Sequence, residues 1–192
     1  MKLRIVILLL ASLSLAVIKA DGQRAVTIKT DFVHTALPVT PNLALEVALS
    51  SKISAEITGA YNPFVFGEKK IKHYMVRPSI RYYFDEVAQG GHFVAMDLFG
   101  GQFNAVGWNI PIKPLSYIKD FRYEGTFYGV GLGYGYRYDF AKHWGIEFGL
   151  SLGYARIDYE KFKCIKCGSK IGEGKHNHIG VTKAAIALVY KI

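Results

Sequence analysis

Residues 128–140 read YGVGLGYGYRYDF, and residues 144–155 read WGIEFGLSLGYA. In the first run every even position is large and apolar: Tyr128, Val130, Leu132, Tyr134, Tyr136, Tyr138 and Phe140. The odd positions are Gly129, Gly131, Gly133, Gly135, Arg137 and Asp139. After Ala141, Lys142 and His143 the pattern resumes, with Trp144, Ile146, Phe148, Leu150, Leu152 and Tyr154 alternating with small or polar residues. Successive side chains of a strand point to opposite faces, so the two runs predict a hairpin with one bulky oily face and one small, polar face. Glycine packs nothing in an ordinary strand and costs entropy. It becomes useful where walls crowd together, as in the narrow lumen of a small closed barrel. Oily residues outward with small and charged residues inward is the pattern of a transmembrane β-barrel.

The same alternation recurs along the chain. Val26–Ala36 is expected to be the first strand, with Thr27, Lys29 and Asp31 on its polar face. Pro38 and Pro41 interrupt regular pairing. The next strands place Leu43, Leu45, Val47 and Leu49, then Ile53, Ala55, Ile57, Gly59 and Tyr61, outward. A fourth strand, about Lys72–Phe84, carries Pro78, where a β-bulge is expected because proline has no N–H to pair. A fifth spans about His92–Phe103, and the hairpin supplies the sixth and seventh. The eighth closes the chain with Ala184, Ile186, Leu188, Tyr190 and Ile192 outward. Residues 104–122 and 159–178 read as long loops, whereas the connections after the second, fourth and sixth strands are short. Short turns at one end and long loops at the other are how outer-membrane barrels distinguish periplasm from exterior. The predicted fold is all-β: an eight-stranded antiparallel up-and-down transmembrane β-barrel.

Residues 1–20 stand outside that fold. Lys2 and Arg4 precede an apolar run from Ile5 to Ile18, which reads as a signal peptide cut between Ala20 and Asp21. Cleavage lowers the formal net charge from +9 to +6, since Lys2, Arg4 and Lys19 leave and no acid does. Residues 21–192 then form one barrel domain. The 13 tyrosines and 12 phenylalanines suit aromatic girdles at two membrane interfaces. A basic excess on an exported, strand-rich chain does not point to nucleic acid.

The inward charges balance. Lys29, Arg77, Arg81, Arg137 and Lys183 are expected to meet Asp31, Glu46, Glu56, Asp97 and Glu147. Unpaired buried charge is costly, so the set reads as a paired network plugging the lumen and not as an open pore.

Several short runs carry a resemblance: Tyr61-Asn62-Pro63-Phe64, Lys119-Asp120-Phe121-Arg122-Tyr123-Glu124-Gly125, Tyr154-Ala155-Arg156-Ile157-Asp158-Tyr159 and Cys164-Ile165-Lys166-Cys167-Gly168. Together they resemble a family of uncharacterised small exported proteins of Bacteroides-type Gram-negative bacteria. The resemblance spans roughly Thr27 to the C-terminus. It implies an outer-membrane β-barrel of unknown function, often encoded near surface-fimbria genes, and it brings no catalytic residues. Barrels of this kind commonly end in an aromatic residue; this chain ends in Ile192, two residues after Tyr190.

Candidate chemistry is sparse. Cys164 and Cys167, with His176 and His178 following in the same expected loop, are four soft ligands suited to Zn²⁺. A Cys164–Cys167 disulfide is the favoured reading for an exported pair, and free thiols in an anaerobic setting are a third. Lys161, Lys163, Lys166, Lys170 and Lys175 make that loop basic beside Glu160 and Glu173, which suits lipopolysaccharide phosphates or an acidic partner. His34, His73 and His92 lie near strand ends, but none has a serine at suggestive spacing. The expected role is therefore non-enzymatic and without cofactor: a barrel seated in outer-membrane lipid whose exterior loops contact a surface protein, such as a fimbrial one. A lipid A-modifying enzyme and a soluble ligand-binding barrel with its faces reversed are the two alternatives.

Overall fold

The computed structural model describes residues 25–36, 40–66, 69–106, 121–163 and 168–192, with 65–66 and 69–71 described through their backbone alone. The elements are β1 (Val26–Asp31), the short helix α1 (Phe32–Ala36), β2 (Asn42–Ala48), β3 (Ile53–Asn62), the two-residue β4 (Val65–Phe66), β5 (Lys69–Tyr83), β6 (Gly91–Val106), β7 (Arg122–Asp139), β8 (Trp144–Phe162) and β9 (Lys170–Lys191). Each long strand pairs antiparallel with its sequence neighbour, and β1 pairs with β9, so eight strands close into a ring. The small β4 only extends the edge of β5.

The registers set the tilt. A path from Val26 through Val47, Ala55, Ile80, Met96, Leu132 and Leu152 reaches β9 at Val181. The level it started from meets β9 at Ile192, whose N–H bonds to the Val26 carbonyl. The stagger of about ten residues is what an eight-stranded barrel with inclined strands requires. The turns at 49–52, 84–90 and 140–143 share one end of the barrel with both ends of the ring strands. In one of them Gly90 and Gly91 take φ values of 81° and 91°, a region costly for residues with a Cβ.

The strands run further at the other end than the alternation alone suggests. Residues 159–162 continue β8 and residues 170–178 belong to β9, where a loop was expected; Glu160↔Glu173 and Asp158↔Lys175 pair across them. Strand pairing of the polar rim overrides its loop-like composition. At β1 the opposite happens. The strand stops at Asp31, whose Oδ1 accepts the Val33 N–H at 2.9 Å while its carbonyl accepts the Thr35 hydroxyl at 2.8 Å. Asp31 is thus an N-cap that turns Phe32–Ala36 into a helical turn in place of more strand. No bulge forms at Pro78. The β5–β6 register is the same on either side (Val76↔Gly100, Ser79↔Asp97), with a gap in pairing at Arg77 and Pro78 where the missing N–H would have bonded.

The faces fall as the alternation indicates. On β2, β3 and β5–β9 large apolar side chains face outward and are exposed: Leu43, Ile57, Ile80, Met96, Leu132, Leu150 and Ile186 are examples. The face-reversed reading is therefore corrected, because the oily residues are outside and the charges inside. Exposed aromatic rings gather at two levels. Tyr61, Tyr74, Tyr128 and Tyr154 form the upper one; Tyr82, Tyr136, Tyr138, Trp144 and Tyr190 belong to the lower. Tyr128 and Tyr138 lie ten residues apart on β7, about 25 Å once strand tilt is included.

Candidate functional site

Among the described residues the lumen gathers ionisable groups away from water. Alternation on five strands aims them there: Lys29 from β1, Glu46 from β2, Glu56 from β3, Arg77 and Arg81 from β5, and Glu147 from β8, all buried. The Lys29 Nζ lies 2.5 Å from Glu46, 3.0 Å from Glu56 and 2.6 Å from Glu147. Arg81 crosses from the opposite wall, with one Nη 2.5 Å from Glu56 and the other 2.8 Å from Glu147. Arg137 stands 3.7 Å from Glu46 and donates to the Val87 carbonyl, tying the cluster to the 84–90 turn. Tyr83 and Ser54 donate to Glu46 as well. Because these bonds join strands on opposite sides of the ring, the cluster spans the lumen as a plug. Single buried pairs offset poorly against desolvation; a network satisfies more lone pairs per ion.

Nine of the ten expected inward charges make ion pairs there. Arg77 meets Asp97 at 3.6 Å, and Lys183 approaches Glu56 at 3.7 Å. Asp31 is the exception. Its carboxylate is spent on backbone N–H groups, those of Val33 and of Ile186 at 3.2 Å. Two partners escaped the sequence reading: Asp139 pairs with Arg137 at 3.4 Å and with Lys191 at 2.8 Å. The inward placement of Asp139 was visible in the alternation; its partner was not.

Inward phenylalanines are the other omission. Phe93 and Phe99 on β6 face the lumen, with Arg81 stacked 4.7 Å from the Phe93 ring centre and Arg77 4.3 Å from that of Phe99. The glycine face of β7 makes room for them. A Cβ on Gly129 would lie 2.5 Å from the Phe99 ring, and one on Gly135 would collide with Phe93. The glycines are where the lumen is fullest, which is the crowding their presence implied.

Above the plug the lumen opens into a cavity of about 410 Å³ lined by Met75, Arg77, Phe99, Phe127, His178 and Lys183 among others. A wider vestibule of about 830 Å³ follows, with Asn104, Glu124, Asp158, Tyr159, Glu173 and Lys175 on its walls. At the rim Lys170 Nζ bonds Glu160 and Glu173, each at 2.6 Å. The hydrogen bonds that Lys170 donates to these two carboxylates raise its pKa above its ordinary value, and the one to Glu173 lowers that of the carboxyl. The expected basic loop is therefore a rim of mixed charge.

The three histidines noted near strand ends fall at two ends of the barrel. His34 on α1 stacks on His73 of β5, with ring centres 5.8 Å apart, beside the cavity. His92 sits at the other end on the outer face, 2.6 Å from the Tyr134 hydroxyl. His73 and His92 are thus brought nowhere near each other. Two of the buried serines donate to carboxylates, Ser54 to Glu46 and Ser151 to Asp97 at 2.8 Å. Of the four candidate metal ligands, Cys164 and Cys167 lie outside the described residues. His176 and His178 are on strand β9 and not in a loop, which is a correction; they alternate with Asn177 on the lumen-facing register of Ala155 and Ile157. Among the described residues no group of three or more His, Cys, Asp or Glu side chains is placed to hold a metal, and no helix is long and apolar enough to cross a membrane.

The chain belongs to a family of proteins of unknown function, DUF3575, whose model matches residues 5–192. Comparison with curated proteins finds no match.

Proposed function

We propose that this chain is an outer-membrane β-barrel of a Bacteroides-type Gram-negative bacterium, exported through a cleaved signal peptide at residues 1–20, whose exterior end binds a cell-surface partner. One observation carries the reading: the belt of exposed Leu, Ile, Val and Met bounded above and below by aromatic rings. A water-soluble monomer rarely exposes a contiguous apolar patch beyond a few hundred Å². A hydrocarbon layer about 25 Å thick is the solvent that such a belt matches. The end with long extensions then faces outward and the short turns face the periplasm.

The role that fits best is binding and not conduction or catalysis. Lys29, Arg81 and three glutamates occlude the lumen, and an ion crossing it would have to break several buried charge-assisted bonds. The vestibule and the charged rim of β7–β9 rise beyond the upper aromatic level and offer mixed-sign, hydrogen-bonding surface. Such a rim suits a surface protein, a fimbrial subunit being the natural candidate given the resemblance described above, with lipopolysaccharide phosphates the competing ligand.

Membrane fractionation with gels run before and after boiling is the first test. The expected result is an outer-membrane protein with a heat-shifted band and no single-channel steps in planar bilayers. A soluble periplasmic chain without heat shift would sink the proposal.

A further inference from the structure

One cavity wall has an unusual property. The 410 Å³ cavity is lined by Lys183, Ala185 and Ala187, which face inward on β9, and also by Val181 and Ala184, which belong to its outward face. The two edges of that strand are not alike. The edge toward β8 is closed, since β8 pairs along β9 as far as Lys170. The other edge is not: β1 pairs only up to Asp31↔Ala187, and above that level β9 has no strand beside it among the described residues. The single turn α1 packs there instead, with exposed Phe32 outward and His34 beside the cavity. Between β9 and α1 the wall is thus held by side-chain packing and not by a strand ladder, at the height of the apolar belt.

The same place carries a local irregularity and an incompletely used cation. The β8–β9 register slips between Ser151↔Lys183 and Leu152↔Val181, which leaves Thr182 as a bulge. Arg77 donates from Nη2 to the Thr182 carbonyl at 3.0 Å. Its Nη1 is buried without a hydrogen bond; the nearest carboxylate oxygen, Asp97 Oδ2 at 3.6 Å, already accepts from Ser151. Lys183 is also loosely held, 3.7 Å from a Glu56 that Lys29 and Arg81 share. Asp31, the carboxylate expected to offset them, is occupied by backbone N–H groups. An anionic group entering beside Thr182 would complete Arg77 and meet Lys183, against Met75, Phe99 and Phe127.

We propose that this is a lateral binding site for a single-chain amphiphile with an anionic head, of the fatty-acid carboxylate type. The head sits between Arg77 and Lys183, and the tail leaves between β9 and α1 into the hydrocarbon. A cavity of about 410 Å³ holds a head and the first methylenes but has no need to hold the tail. The inference rests on the membrane reading above, since this wall faces lipid only if the belt does.

The test uses the full-length mature chain refolded into phosphatidylcholine vesicles, with cis-parinaric acid fluorescence as the binding signal. The expected result is saturable binding, one probe per barrel, with the uncharged methyl ester binding at background. R77Q and K183Q should each weaken binding about tenfold, the loss of one charge-assisted contact. A184W changes an exposed residue at this wall, so it should leave the heat-shifted band intact and slow probe uptake about tenfold. Competition by laurate and by dodecyl phosphate tells which anionic head the site prefers, and displacement by either supports it. A heat-modifiable, vesicle-inserted barrel with no saturable signal, or equal binding of acid and ester, overturns the inference and leaves the membrane reading standing. Unaltered uptake in A184W overturns the lateral route. A chain that never inserts into vesicles removes the membrane reading, and this inference with it.

Discussion

Lys29→Met tests the plug most directly. Lys29 Nζ sits 2.5, 3.0 and 2.6 Å from three buried glutamates, and its side chain is only 2 % exposed. Methionine keeps most of the stem's volume and deletes the charge. Glu46, Glu56 and Glu147 would then share Arg81 and, at 3.7 Å from Glu46, Arg137. Removing one partner from a buried ionic set costs about 3–5 kcal/mol, because the remaining charges keep their desolvation cost without the attraction. Taking about 4 kcal/mol and a urea slope of about 2 kcal/mol per molar, the unfolding midpoint should fall by about 2 M. The assay is urea titration of vesicle-inserted protein followed by the unboiled gel shift. The double variant K29M/E46Q should recover part of the loss, with a coupling of about 1–3 kcal/mol. A midpoint displaced by less than about 0.3 M would refute the reasoning. It would mean that water, and not neighbouring carboxylates, solvates Lys29, and that the lumen is wet enough to conduct.

Other outcomes follow from separate parts of the fold. Leu132→Arg puts a guanidinium in the middle of the belt, where Leu132 is exposed; it should cost about 2–4 kcal/mol of insertion stability in vesicles, whereas the same change on a soluble barrel would be neutral. Gly135→Val, which drives a side chain into the Phe93 ring, should destabilise by about 1–3 kcal/mol, and Phe93→Ala in the same chain should restore part of that. Asp31→Ala removes the cap of α1 and the acceptor of the Ile186 N–H; a loss of about 1–2 kcal/mol is expected, measured as a lower urea midpoint, with little change meaning that α1 does not depend on its cap.

How much of this was legible beforehand differs by element. The β7–β8 hairpin was unambiguous, because thirteen consecutive residues alternate without a break and a strand's side-chain period is two. The rim was misread, because Glu160, Lys161, Glu173 and Lys175 are polar on both faces. With no oily face the alternation vanishes, although the backbone pairs as before. Pro78 was expected to force a bulge; the neighbouring strands hold the register and the ladder loses pairs instead. Phe93 and Phe99 were overlooked because an aromatic ring on a polar face breaks the binary pattern, and only the glycines opposite them explain where the rings fit.

The sequence by itself determined that the chain makes strands, which residues share a face, and that the charged face is inside, since each of these is a local consequence of period two and the cost of burying unpaired charge. Tertiary structure alone decided who meets whom. Lys29 and Glu147 are 118 residues apart, and their contact depends on ring closure and on a stagger accumulated over eight strand pairings. It also decided that β1 ends early beside a strand that continues, so that a helical turn and not a strand flanks β9 above Ala187. No single segment encodes that arrangement: it is a difference in length between two neighbours that only closure brings together.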